Sequence, residues 1–481
     1  MEKVNGRKLS LIFIFILILL VIALLVGKLT FSYLGPTLGE DLSNEGEVTA
    51  SGDTLIFTKG SNLSLSATTD NFQTGGSNLS STTNPKVKLV ASSKTNSASA
   101  TYYVGVVINS NSYTYTTSDN TAEVILTIKD ENSNNVTSGV DGLTYVTSGG
   151  VSGFDVTGKT GLFNIKTDYP ISTTSSSTGT THTWTFTLTF VNLGTDQSDN
   201  ENASMDLDVY LQKEKILTLA EHVISQYTGS QGDDSLYYHN STLNNGAGDN
   251  SYRYAGASDS VNNYICLGSD ATTCPDANLF RIIGVFGDQT KVIRAKSVGD
   301  QKWHTSDSNT WSSSSLNTYL NGTYLTSLGT LKNKIATTTW KVGGGSWSNI
   351  GTSVPKTAYQ YEVGSNASST TYDAKIGLMY VTDYYYSASP SAWTLVGYNG
   401  SDATKDYRAA KTINWLYLGS DEWTISRNSD TTSTAFCVNS TGFVSLDSVT
   451  ISYAVRPSFN LESSTTYVSG SGSMSDPVRI K

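Results

Sequence analysis

Charged side chains are scarce in this chain of 481 residues, because Asp, Glu, Lys and Arg together account for only 15% of it. Disordered proteins carry much more charge and few aromatic residues, whereas this chain has 28 Tyr, 14 Phe and 8 Trp. The composition therefore predicts folded domains. The formal net charge is −10 and no basic stripe stands out, so we expect no nucleic acid partner.

The spacings that mark catalytic and metal sites are also missing. None of the four histidines stands in a motif such as H-E-x-x-H, and no G-x-S-x-G motif presents a nucleophilic serine. The run Gly343-Gly344-Gly345 lacks the Lys-Ser/Thr of a phosphate-binding loop, and we interpret it as a flexible turn. We expect His182 to be an exposed strand residue and His222 to be a structural residue of a helix. The sequence thus predicts a protein that is not an enzyme and uses no metal and no cofactor.

Cysteine is rare as well, with Cys266, Cys274 and Cys437 as the only three. The first two lie in the short stretch ICLGSDATTC, and we predict that they form a disulfide in an exported chain. Cys437 then has no disulfide partner in this chain. The alternative is three unreactive free thiols.

Ser, Thr, Asn and Gly take the place of the missing charge. Thr and Tyr favour strands, whereas Asn and Gly favour turns. The fold class that we predict is mainly β.

An uncharged run of 19 residues, Leu9–Gly27, is long enough at about 1.5 Å per residue to cross a bilayer as a helix. Three basic residues precede it and a single lysine follows, so the positive-inside rule places the N-terminus in the cytoplasm. We predict a cytoplasmic segment at 1–8, a transmembrane signal anchor at 9–29 and a linker at 30–44. The protein would be a single-pass protein of the cell membrane with its domains outside. Cleavage near Ser32 would instead release it as a secreted protein, and we favour the retained anchor.

Residues 45–212 show alternation with a period of two, which predicts strands with one buried face. The clearest segments are Ala122–Lys129, His182–Asn192 and Ser204–Gln212. In the first, Glu123 and Ile125 fall on the face opposite the predicted core. Since turn residues separate such segments and helical patterns are nearly absent, we predict an antiparallel β-sandwich.

The start of the chain resembles the camelysin and biofilm-fibre (TasA-type) secreted proteins of Gram-positive bacteria. The resemblance rests on Thr30-Phe31-Ser32-Tyr33-Leu34 at the end of the hydrophobic leader, followed directly by a sandwich. It implies a jelly-roll-like domain. Camelysins are described as proteases, but this chain has no His-x-x-x-His pair for zinc, so we do not carry that activity over.

Residues 213–481 form the second predicted domain, which an amphipathic helix at Lys213–Tyr227 opens. We expect a short helix at Ser314–Asn321. The predicted strands are Leu279–Phe286, Lys291–Ala295, Ile376–Val381 and Ala454–Leu461. Many loops, few strands and seven of the eight tryptophans predict a compact α+β domain.

Two arginines of this domain, Arg281 and Arg456, lie inside apolar runs. A buried arginine is costly unless it is paired, so we expect each to meet a carboxylate such as Asp383 or Glu422.

The order of several segments resembles C-type-lectin-like, sulfatase-modifying-factor-like domains of exported gut Firmicutes proteins. The matching pieces are YICLGS at 264–269, 278–286, WSSSSLNTYLNGTYL at 311–325, IGLMYVTDY at 376–384, WTISRN at 423–428, AVRPSF at 454–459 and 469–480. The resemblance implies a lectin-like fold and an extracellular location. Some members of this fold are oxidases, and these need a reactive cysteine pair. Cys437 has no neighbouring partner in sequence, which puts the oxidase chemistry in doubt.

The segment Trp423–Tyr453 is the ligand-binding face that we predict, because aromatic, Asn and Ser side chains make adaptable recognition surfaces. The loops near the C-terminal strands are also the usual ligand face of the lectin-like fold. The candidate residues are Trp423, Arg427, Asn428, Asp430, Asn439 and Tyr453. The alternative is solvated loops between core strands, with Trp423 itself in the core.

These observations predict a membrane-anchored surface protein with a ligand-binding or adhesion role and a glycan or a protein as its ligand. The alternative is a structural component of surface or biofilm fibres, which would self-associate. A third hypothesis is an oxidase of the sulfatase-modifying type.

Overall fold

The computed structural model describes residues 46–50, 52–71 and 74–481. The predicted membrane anchor at 9–29 and its flanking segments at 1–8 and 30–44 lie outside these residues. Within the described ranges, no helix combines the length and the apolar character needed to cross a membrane.

The N-terminal half of the described chain consists almost entirely of strands. They are β1 (Gly46–Ala50), β2 (Asp53–Thr58), β3 (Leu63–Ser66), β4 (Leu79–Thr83), β5 (Lys86–Val90), β6 (Ala98–Asn111), β7 (Val124–Lys129), β8 (Thr144–Ser148), β9 (Val151–Asp155), β10 (Gly161–Thr173), β11 (Thr180–Thr183), β12 (Thr185–Phe190) and β13 (Ser204–Gln212).

These strands form three antiparallel sheets with the orders β1-β2-β5-β11, β10-β6-β13-β3 and β4-β12-β7-β9-β8. All three sheets contribute to one hydrophobic core, which extends from Leu55 to Leu211 and contains Trp184. The mainly β, antiparallel, sandwich-like architecture that the alternating pattern predicted is confirmed. We call this part of the molecule the sandwich.

One detail of the alternation is wrong. Glu123 and Ile125 were placed on the solvent face, but both are fully buried. The Glu123 carboxylate accepts hydrogen bonds from the backbone of Thr116 at 2.6 Å and from the amides of Gln197 and Asn200, both at 2.7 Å. A loop covers this face, and its donors satisfy the carboxylate, so β7 is buried on both sides.

The rest of the chain, which we call the head, mixes short strands with short helices. Its strands are β14 (Leu236–Tyr238), β15 (Tyr252–Tyr254), β16 (Tyr264–Cys266), β17 (Leu279–Phe286), β18 (Gln289–Arg294), β19 (Asp300–Lys302), β20 (Thr338–Lys341), β21 (Thr371–Ala374), β22 (Glu422–Arg427), β23 (Thr434–Val438), β24 (Val444–Ser448), β25 (Ser452–Ala454), β26 (Ser458–Asn460), β27 (Tyr467–Ser469) and β28 (Arg479–Ile480). Its α-helices are α1 (Leu219–Ser225), α2 (Ser315–Tyr319), α3 (Leu325–Ser327), α4 (Trp347–Ile350), α5 (Pro355–Glu362) and α6 (Val381–Tyr386).

Two larger sheets organise the head, with the orders β14-β15-β17-β18-β26 and β19-β25-β22-β23-β24. A second core of buried side chains extends from Leu219 to Val478 and includes five tryptophans: Trp303, Trp311, Trp340, Trp415 and Trp423. The sandwich core and the head core therefore draw on separate parts of the chain.

Two predicted helices of the head have other limits. The opening helix begins at Leu219 rather than Lys213, because Thr218 and Glu221 form a capping box there. The helix predicted at Ser314–Asn321 continues to Ser327 through a π-helical turn at Leu320–Tyr324.

The predicted strand Ile376–Val381 is wrong, since Val381 begins α6. The Asp383 carboxylate accepts a hydrogen bond from the backbone N–H of Tyr380 at 2.8 Å and caps the helix. Local capping chemistry therefore outweighs the strand preference of the apolar run.

Arg456 pairs as predicted, because its Nε and Nη2 atoms both lie 2.7 Å from the Glu422 carboxylate. Arg281 does not meet a carboxylate. It donates to Asn263 at 2.6 Å and to the Val261 carbonyl at 2.9 Å, and its guanidinium lies over two aromatic rings. Hydrogen bonds and cation–π contacts thus satisfy it in place of an ion pair.

The predicted disulfide between Cys266 and Cys274 is present, with a Cα–Cα distance of 5.8 Å. Cys437 is a free, buried thiol whose pKa is raised by burial and by the nearby Asp447 carboxylate.

Candidate ligand-binding face of the head

The hairpin β22–β23–β24 places the candidate residues at its two ends. Glu422 pairs with Val438 and Arg427 pairs with Ala435, so the turn at 428–433 and the turn at 439–443 lie at opposite ends. Five residues of strand separate these ends, which corresponds to about 16 Å. Asn428 and Asp430 are therefore close together, whereas Asn439 is remote from both.

Trp423 and Tyr453 hold the sheet together between these ends. The Trp423 ring is fully buried, and its indole N–H donates to the Gln301 carbonyl at 3.0 Å. The Tyr453 ring lies 4.8 Å from it, and its hydroxyl donates to Asp447 at 2.8 Å. Trp423 is therefore a core residue, which was the alternative to the ligand-binding role predicted for it.

The three glycines that we interpreted as a flexible turn are tied to the candidate residues. The Arg427 Nε donates to the Gly343 carbonyl at 2.9 Å, and the Ser429 N–H donates to the Gly345 carbonyl at 2.9 Å. Gly344 has a φ of +63°, and a Cβ there would overlap the Arg427 carbonyl oxygen. Only glycine fits this position, so the turn is pinned against β22.

Asn428 is buried and shapes the turn at 428–433, because its carbonyl accepts from the Asn309 amide at 2.9 Å. Its own side chain donates to Thr434 at 3.1 Å. Asp430 is exposed, and its carboxylate accepts from the backbone N–H of Trp347 at 3.0 Å. This contact fixes the start of α4.

Three half-buried rings lie on this side of the hairpin, with Tyr398 in contact with both Trp347 and Phe443, and we call them the aromatic row. The centroids of Trp347 and Tyr398 are 6.1 Å apart, and those of Tyr398 and Phe443 are 4.8 Å apart. The Arg408 guanidinium lies 5.2 Å from the Tyr398 ring and 5.4 Å from the Phe443 ring. Each ring packs on the head with part of its surface open to solvent.

The scaffold holds the aromatic row from behind. Trp347 stacks on the buried ring of Phe436, with the centroids 6.2 Å apart and the planes 16° apart. The Tyr398 N–H donates to the Gly351 carbonyl at 2.7 Å, and a Cβ at Gly351 would overlap the Trp347 ring. The row is therefore preorganised by packing and backbone contacts.

Asp430 and Asn439 flank the two ends of the row. Asn439 shapes the turn that carries Phe443, since its N–H donates to the Phe443 carbonyl at 2.8 Å and its amide oxygen accepts from the Thr441 N–H at 2.9 Å. Phe443 lies inside the segment that the sequence singled out, but Trp347 and Tyr398 lie outside it. Their sequence separation hid them, and only the Trp-rich composition of the head pointed to them.

The row can bind a ligand through ring faces and through the hydroxyl and amide groups around it. Among the described residues, no group of three or more His, Cys, Asp or Glu side chains is arranged to hold a metal ion. The predictions of no enzyme activity and no cofactor stay predictions.

The candidate face lies within a part of the chain that matches a family model. Residues 287–463 match a family model described as a domain of unknown function (DUF6273). No curated protein and no solved structure matches the chain. The match includes the aromatic row and all six residues that the sequence predicted.

Proposed function

We propose that this chain is a membrane-anchored surface protein of a bacterium and that its head captures a ligand on the aromatic row. The single observation that carries the proposal is the contact of Tyr398 with both Trp347 and Phe443, which makes one patch of rings that is half-open to solvent and fixed from behind. Rigid aromatic side chains supply large contact areas at a low cost in conformational entropy, which is why recognition surfaces use them.

The predicted location and folds agree with this role. The uncharged run at Leu9–Gly27 anchors the chain, the sandwich acts as a jelly-roll-like stalk, and the lectin-like head faces outward. Oxidised Cys266 and Cys274 favour an exported protein, because disulfides persist outside the reducing cytosol.

A binding role is favoured over the oxidase alternative by the state of the cysteines. Cys437 is 1% exposed, and the other two are joined to each other. Burial and Asp447 raise the pKa of the Cys437 thiol, which disfavours the reactive thiolate.

The experiment is an array of glycans, mucins and matrix proteins probed with the extracellular chain, residues 30–481, and with two variants. Tyr398→Ala removes the central ring of the row. Tyr372→Ala removes a half-buried tyrosine of β21 that packs on the same core and serves as the matched control. We expect Tyr398→Ala to lose ligand capture and Tyr372→Ala to keep it, although the two variants melt at the same temperature. Equal capture by wild type and Tyr398→Ala would place the site elsewhere.

A further inference from the structure

A cleft of about 920 Å³ lies in the sandwich, away from the aromatic row. Five segments meet there: β6, β10, β11, the loop after β7 and the linker that leads to the head. The side chains that matter for its chemistry are Thr101, Glu131, Thr180, His182 and Lys213. The cleft is wide open to solvent, so a ligand there would keep part of its own surface exposed.

An acid and a base face this cleft without an ionic partner. The Glu131 carboxylate accepts hydrogen bonds from the Tyr169 hydroxyl at 3.0 and 2.9 Å, and the Lys213 Nζ donates to the Thr101 carbonyl at 3.1 Å. Within the described residues, neither Glu131 nor Lys213 takes part in an ion pair. Each therefore keeps its full charge available to a ligand.

His182 adds a donor whose direction is fixed by a chain of hydrogen bonds. The Trp184 indole can only donate, and it donates to the Tyr102 hydroxyl at 2.8 Å. The Tyr102 hydroxyl can donate its own proton to the His182 Nδ1 atom, which lies 2.9 Å away. A neutral imidazole that accepts at Nδ1 carries its proton on Nε2, so this N–H is free for a ligand. Burial lowers the pKa of His182 and favours that neutral form.

We propose that this cleft binds a zwitterion of the amino-acid or short-peptide class. The ligand ammonium group pairs with Glu131, and its carboxylate is bound by Lys213 and by the Nε2–H of His182. Ala100 and Pro170 give the ligand side chain a small apolar surface. A ligand of one charge would engage only one of Glu131 and Lys213, so it would gain one charge-assisted contact instead of two.

The test is calorimetric titration of residues 30–481 with free alanine and with alanine peptides of two to four residues. N-acetylated and C-amidated forms of each peptide are titrated beside them. We expect one length to bind best and each blocked form to lose about tenfold in affinity, because each removes one charge-assisted contact.

Variants separate the two contacts. Glu131→Gln should weaken the binding of the free peptide about tenfold and leave the binding of the N-acetylated form unchanged. Lys213→Met should also weaken the binding of the free peptide about tenfold, and it should leave the binding of the C-amidated form unchanged. Glu201→Gln and Lys94→Met change exposed residues of the same domain and are the matched controls, expected to bind as wild type.

Equal binding of free and blocked peptides would overturn the proposal, as would no heat with any length at millimolar concentration. Concentration-dependent self-association that Glu131→Gln abolishes would also overturn it and assign the cleft to a segment of a second copy. None of these results bears on ligand capture by the aromatic row.

Discussion

The side chain of the last residue, Lys481, reaches from the head to the sandwich and places its Nζ 2.7 Å from the Asp208 carboxylate. Asp208 is 4% exposed, and its second oxygen has no hydrogen-bond partner among the described residues. Burial alone would raise the pKa of Asp208, but Lys481 and Asn109 outweigh it and lower the pKa. This ion pair is a direct tether between the two domains.

Lys481→Met should destabilise the protein by about 1–3 kcal/mol, because it leaves a buried carboxylate without its cation. Chemical denaturation measures the loss, and Lys129→Met, at an exposed lysine of the sandwich, is the control. Since the folded pKa of Asp208 is below its unfolded value of about 3.9, the contribution is present above pH 4 and is lost in stronger acid. If Lys481→Met is as stable as wild type at pH 7, the ion pair between Lys481 and Asp208 does not contribute to stability.

Arg456→Met should cost about 3–5 kcal/mol, because it strands the buried Glu422 carboxylate in the head core. The exposed pair Lys296–Asp276 provides the comparison, and Lys296→Met should change stability by about 1 kcal/mol or less. Both values come from denaturant unfolding of residues 30–481. Similar small effects in the two variants would contradict the structural role of Arg456.

Gly344→Ala should destabilise the head and weaken ligand capture, because the left-handed backbone and the Arg427 carbonyl leave no room for a methyl group. Gly322 is the matched control, since it lies in a helical turn with open space around it. Gly322→Ala should leave stability unchanged or raise it by up to about 1 kcal/mol. Thermal unfolding measures the stability of both variants. If Gly344→Ala is as stable as wild type, the turn can accommodate a methyl group at this position.

His222 gives the protein a stability that depends on pH near neutrality. Its ring stacks on Tyr467 with the centroids 3.5 Å apart, and burial lowers its pKa to about 4. The unfolded chain takes up this proton near pH 6.5, so stability should fall as the pH drops from 7 towards 4. His222→Gln removes the titration and should flatten this part of the melting-temperature profile. An identical profile for the variant would assign the dependence to other groups.

The alternating pattern predicted the strands of the sandwich well, because a strand with one face in the core must repeat every two residues. It failed at Glu123, where a loop distant in sequence covers the outer face and neutralises the cost of burial. The strand predicted at Ile376–Val381 failed for a different reason, because the capping carboxylate of Asp383 decided between strand and helix. The partners of Glu123 lie outside a local pattern, whereas Asp383 is a local signal that the interpretation of the apolar run did not weigh.

The candidate face shows the same division. The sequence singled out the stretch that contains Asp430, Asn439 and Phe443, because polar and aromatic residues crowd turns there. It missed Trp347 and Tyr398, and it grouped the core residue Trp423 with the turns. Burial depends on which strands become neighbours, and the β22–β23–β24 pairing had no signal in the composition.

The sequence by itself determined that this protein is mainly β, that Cys266 pairs with Cys274, and that Arg456 needs an acidic partner. Each of these follows from local chemistry: the periodicity of side chains, the short spacing of two thiols and the cost of burying a charge. Only the tertiary structure decided that three rings from separate segments form one row and that Glu131, His182 and Lys213 face one cleft. Such arrangements depend on long-range packing, which brings together residues that no sequence motif connects.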